Sequence, residues 1–113
     1  MLTVVRSAEL PASGRTALFE GEGYGSGVSF FLVDTPPGGG PVLHKHPYSE
    51  TWVVRAGAVR ITADGVDTLA GPGDIAVVPP ETPHKFLNVG EDRLEMICIH
   101  ASPRILQENL EER

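Results

Sequence analysis

Glycine and proline punctuate this chain from one end to the other, and that spacing leaves no room for long helices. Thirteen glycines and ten prolines, a fifth of the 113 residues, fall between short apolar runs instead of gathering in one tract. The pattern fits many short strands joined by tight turns, not a linker. Alternation and Val, Ile, Phe and Thr content predict strands near 2–6, 16–20, 28–34, 51–56, 58–63, 66–70, 75–79 and 93–100. Asp64-Gly65, between the runs Val59–Ala63 and Val66–Ala70, is a type I′ turn signal and predicts a two-residue hairpin. Helical periodicity is absent before residue 102. There Ser102-Pro103 reads as an N-cap and first turn, predicting a short C-terminal helix over about 103–111. The length suffices for one domain with one core, so residues 1–113 are read as a single all-β domain.

Charge and composition narrow the partners. The net charge of −6 carries no basic cluster, which argues against nucleic acid and against an anionic membrane surface. Nothing approaches the 18 apolar residues of a membrane span. Met1–Arg6 lacks the apolar core of a signal peptide. The single cysteine, Cys98, has no internal partner, so a cytoplasmic location is expected. Gly21–Gly27 has neither the Gly-Lys-Ser/Thr of a phosphate loop nor dinucleotide-binding spacing, and reads as a turn.

Three of the four histidines lie in two compact segments. The first runs Gly38-x5-His44-x-His46-x3-Glu50-x6-Gly57. Strand side chains alternate, so His44 and His46 share a face, and Glu50 joins them if a strand resumes after Pro47. The second runs Gly73-x5-Pro79-x-Glu81-x2-His84-x3-Asn88, placing His84 where a facing strand brings it opposite the other three. Imidazoles suit Fe, Co, Ni, Cu and Zn, and a carboxylate offsets the charge of a dication and admits Mn. Four protein ligands leave two positions of an octahedral sphere open.

The first segment resembles the first motif of the cupin family at all five fixed positions: Gly38, His44, His46, Glu50 and Gly57. The second resembles the second motif at Gly73, Pro79, His84 and Asn88, and departs from it at Glu81, where the family has glycine. The paired motifs are far more specific than a lone His-x-His. The resemblance implies a double-stranded β-helix, or jelly-roll barrel, holding one divalent transition metal through His44, His46, Glu50 and His84. It does not imply one reaction, because similar proteins include dioxygenases, decarboxylases, isomerases and non-catalytic binders. It also implies a homodimer, with Leu2, Val4 and the 28–33 strand as interface candidates.

Two functional classes follow. One is a metal-dependent enzyme of dioxygenase, isomerase or decarboxylase type on a small polar organic substrate, with Glu50 as a base that partly detaches. The other is a non-catalytic small-ligand binder, or a biosynthetic accessory protein, with a structural metal. Around the site, Tyr48 reads as an exposed loop residue and Trp52 as either cavity wall or plain core. One of the pairs Phe30/Leu32 and Phe31/Val33 lines the cavity. Cys98 reads as an inert buried thiol, His100 as a surface imidazole near the chain end, and Glu81 as a solvated turn carboxylate. Glu108, Glu111 and Glu112 read as a solvated helix face.

Overall fold

Every second residue of the strand Leu94–His100 is buried, and this strand lies at the middle of the larger of two antiparallel sheets. The computed structural model describes residues 1–112. Its strands are β1 (Ala12–Ser13), β2 (Thr16–Glu20), β3 (Ser29–Thr35), β4 (His44–Lys45), β5 (Glu50–Ala56), β6 (Val59–Ala63), β7 (Val66–Ala70), β8 (Ile75–Val78), β9 (His84–Asn88), β10 (Leu94–His100) and β11 (Glu108–Asn109). The first sheet has the order β1-β2-β3-β10-β5-β8 and the second β11-β4-β9-β6-β7. Val33, Trp52, Val54, Leu94, Met96 and Cys98 from the first sheet meet Val59 and Ile61 from the second in one buried core. This is the all-β jelly roll expected from the sequence.

The predicted hairpin forms: Ala63 pairs with Val66, and Asp64 and Gly65 both have positive φ (49° and 75°). Phe31 and Val33 are the inward pair of β3, while Phe30 and Leu32 line a groove on the outer face with Phe19 and Tyr24. Three expectations fail. Residues 2–6 join no sheet, and Leu2 and Val4 are exposed. β9 was absent from the predicted strands, because Pro83 and the polar Lys85 and Asn88 mask its two apolar residues.

The third failure is the predicted C-terminal helix over 103–111. The Ser102 signal operates locally, since its hydroxyl accepts from Arg104 N–H at 3.2 Å. The chain then runs on extended, and β11 pairs Glu108 with Lys45 and Asn109 with His44. Leu110 N–H, which in a helix would bond to Leu106, donates instead to the Leu43 carbonyl at 2.8 Å. The tail is a strap across the edge of β4, and Glu111 accepts from Leu43 N–H at 2.8 Å.

Glu81 stands where the resembled motif has glycine, and its φ is +60°. The left-handed conformation is held by its N–H donating to the His46 carbonyl at 2.7 Å and by its carboxylate 3.2 Å from Lys45 Nζ. An L-residue there costs roughly 1–2 kcal/mol relative to glycine. Glu81→Gly should therefore be more stable than Glu81→Ala, both lacking the ion pair, by about 1 kcal/mol in urea denaturation. Equal stability of the two variants would show that the turn carries no such strain.

Candidate metal centre

His44 opens β4, Glu50 opens β5 and His84 opens β9, so three strand beginnings meet at one end of the barrel. His44 and His84 are direct cross-strand partners, with ring centroids 4.3 Å apart. His46 follows β4, and the bend at Pro47-Tyr48 returns the chain so that Glu50 rejoins the same cluster. All four side chains are buried, and one ligand atom from each lies within 4.8 Å of the others. The four residues named by the sequence motifs are thus brought together.

Each imidazole is oriented by the backbone. Nδ1 of His44 lies 2.7 Å from the Val42 carbonyl, Nδ1 of His46 2.7 Å from the Leu106 carbonyl, and Nδ1 of His84 2.7 Å from the Thr82 carbonyl. A carbonyl only accepts, so Nδ1 carries a proton in all three rings, and each ring in its neutral, metal-ligating form presents the Nε2 lone pair. The Nε2 atoms of His84 and His46 stand 3.1 and 3.3 Å from Glu50 Oε1. Lone pairs facing a carboxylate oxygen repel unless a cation sits between them, and His46 Nε2 has no hydrogen-bond partner. Adjacent donors around an octahedral ion with bonds of about 2.1–2.2 Å are about 3 Å apart. Tautomer, spacing and donor chemistry fit a divalent metal ion.

His100 is the residue the sequence reading misplaced. It is not a surface imidazole: it is 1% exposed, and its Nε2 lies 3.1 Å from Glu50 Oε2, the oxygen turned away from the other histidines. Its parity with Leu94, Met96 and Cys98 in β10 was the available signal. Tyr48, read as an exposed loop residue, is half-buried, with its hydroxyl 2.7 Å from His100 Nδ1. That hydroxyl accepts from Leu106 N–H at 3.2 Å. Donation of its own proton to His100 Nδ1 leaves the His100 proton on Nε2, beside Glu50. The contact lies off the N–H axis, so it is an electrostatic approach and not a formed hydrogen bond.

Burial works against charge on Glu50, but the histidine contacts, His100 first, outweigh it where Nε2 carries a proton and hold the carboxyl below the usual range. Burial pushes the His44 imidazolium down to about 4. It pushes the Cys98 thiol well up, in keeping with an inert thiol.

A cavity of about 440 Å³ opens beside the cluster. His44, Glu50 and His100 form its polar end, and Phe31, Val33, Trp52 and Phe86 its walls. Trp52 serves as cavity wall and as core together.

The lowered His44 value gives the metal-free protein a defined pH dependence. Unfolded His44 takes up a proton below about 6.5 while the folded ring stays neutral until about 4. Unfolding is therefore favoured as pH falls through this window. In the presence of a chelator, the urea midpoint should drop between about pH 7 and pH 5.5, above the range of ordinary carboxylates. A flat midpoint over that interval would contradict the assignment.

Comparison with known proteins agrees with this geometry. A family model for the cupin domain matches residues 31–100. An uncharacterised protein of Methanocaldococcus jannaschii is 35% identical over 69 residues, which cover 60% of this chain and 55% of that protein. Among solved structures, oxalate decarboxylase of Bacillus subtilis, described with Mn(II) centres, superposes with a TM-score of 0.79 at 22% identity. That match covers 91% of this chain and 30% of the decarboxylase chain. An oxalate oxidase superposes with a TM-score of 0.78 at 20% identity, over 96% of this chain and 63% of its own. Oxalate decarboxylase of Lactobacillus farciminis, in a formate complex, gives a TM-score of 0.74 at 22% identity, over 84% and 30%. The structural likenesses show the fold, and the family match over 31–100 shows the lineage: the chain belongs to the cupin family.

Proposed function

We propose that this cupin is a metal-dependent enzyme acting on a small organic molecule that reaches the ion through the barrel cavity. The observation that carries the reading is the set of three imidazoles locked by backbone carbonyls, with Nε2 of His46 and His84 beside Glu50 Oε1 and an open cavity next to them. A purely structural site would be closed. His44, His46, Glu50 and His84 are the proposed ligands. When bound, the ion supplies Lewis-acid polarisation of a carbonyl or enolate oxygen, or activation of dioxygen. Glu50 is the proposed base, with Oε1 among the ligand atoms and Oε2 beside His100. His100 and Tyr48 steady that carboxylate from the far side.

The chain also has the makings of a homodimer. Exposed Met1, Leu2, Val4, Tyr24 and Val28 surround or adjoin the outer groove of β2 and β3, and a second copy would cover them.

The test of the ligand set is metal content per chain after dialysis against a weak chelator, by mass spectrometry. His84→Ala should lose metal by more than the roughly 10–100-fold typical of an outer hydrogen-bonding partner, and His100→Ala should retain most of it. Full metal in His84→Ala with loss in His100→Ala would put the fourth ligand on the last strand. The metal-loaded protein should then be screened against carbonyl and enol substrates with and without air. Turnover only in air would indicate a dioxygenase, and turnover in both conditions an isomerase or decarboxylase.

A further inference from the structure

We infer that the cavity selects a ligand with a singly charged chelating head and an apolar, ring-sized body, and discriminates against compact dianions such as oxalate. The inference rests on the metal-centre reading above and names the substrate class for that same site.

Charge at the polar end comes first. Three neutral imidazoles and one Glu50 carboxylate around a dication leave a centre of net +1. A singly anionic chelator brings the buried centre to zero. A dianion brings it to −1, and buried net charge without a partner is costly. Among the described residues, no lysine or arginine lines the cavity to offset that second charge. The remaining polar groups are uncharged: Ser13, Thr16, Thr35 and Gln107.

Shape and polarity point the same way. At about 30 Å³ of liquid volume each, the 440 Å³ cavity has room for on the order of fifteen waters. A six-heavy-atom dianion would leave most of that space as water against Phe31, Val33, Trp52 and Phe86. A ligand body that displaces this water gains apolar burial and ring contacts. Trp52 and Phe86 are already set edge to face, with centroids 5.4 Å apart, so the wall is pre-formed.

The experiment is calorimetric titration of Mn(II)-loaded protein with acetohydroxamate, benzohydroxamate and oxalate, each affinity divided by that chelator's affinity for the free ion. Metal content is measured first. Benzohydroxamate should bind at least tenfold tighter than acetohydroxamate, which has the same head, and oxalate should rank last. Phe31→Ala should narrow the ratio of benzohydroxamate to acetohydroxamate affinity severalfold, and its metal content and retained acetohydroxamate binding report that the variant is folded and loaded. Oxalate ranking first, or a phenyl group giving no gain, would overturn the inference with the metal centre intact. Failure to load metal at all would instead sink the metal-centre reading on which it rests.

Discussion

A carboxylate only 4% exposed inside a β-barrel has to be balanced by positive charge or by donors, and Glu50 is that carboxylate. Its Oε1 faces His46 and His84 and its Oε2 faces His100. Three separate segments must therefore converge on the first residue of β5: the end of β4, the start of β9 and the end of β10. The strand pairings that deliver them also build the two sheets, with His44 opposite His84 and His100 opposite Glu50. The site and the fold are satisfied by the same hydrogen-bond ladder. An ion held among the imidazole Nε2 atoms would resolve the repulsion that this convergence creates between neutral rings and carboxylate.

The tail shows how far the requirement reaches. His46 Nδ1 donates to the Leu106 carbonyl, some sixty residues on in sequence. Leu106 N–H is bound to Tyr48, whose hydroxyl reaches His100. A helix over 103–111 would commit that carbonyl to its own backbone and leave the His46 ring without its anchor. The extended strap serves the site better than the local preference expressed at Ser102-Pro103. Tertiary demand overrides a capping signal here, as is common where a short segment has weak helical periodicity.

Much of this was legible in the sequence because it depends on parity and turn chemistry. Asp64-Gly65 set the hairpin, and the spacing of His44, His46 and Glu50 set one shared face. β10 alternates cleanly, so Leu94, Met96 and Cys98 fall in the core. The same parity includes His100, but an imidazole near a chain end has an ordinary surface explanation and nothing in its own segment names a partner. Its partners, Glu50 and Tyr48, lie about fifty residues earlier, and only the β5–β10 register brings them together. β9 was hidden for a related reason. Its strand character comes from pairing with β6 on one side and β4 on the other, not from its own His-Lys-Phe-Leu-Asn pattern. The segment at 2–6 is the reverse case, with strand-like composition and no neighbour in either sheet.

The most direct test of the central claim is anomalous diffraction from crystals of Mn(II)-loaded protein, recorded at the manganese edge. The account predicts a single strong peak at roughly 2.0–2.3 Å from Nε2 of His44, His46 and His84 and from one oxygen of Glu50. It also predicts that His100 Nε2 stays beside the other oxygen of Glu50, outside bonding distance of the ion. A peak bonded to His100 in place of His84, or a metal found only among the surface carboxylates Glu108, Glu111 and Glu112, would contradict it.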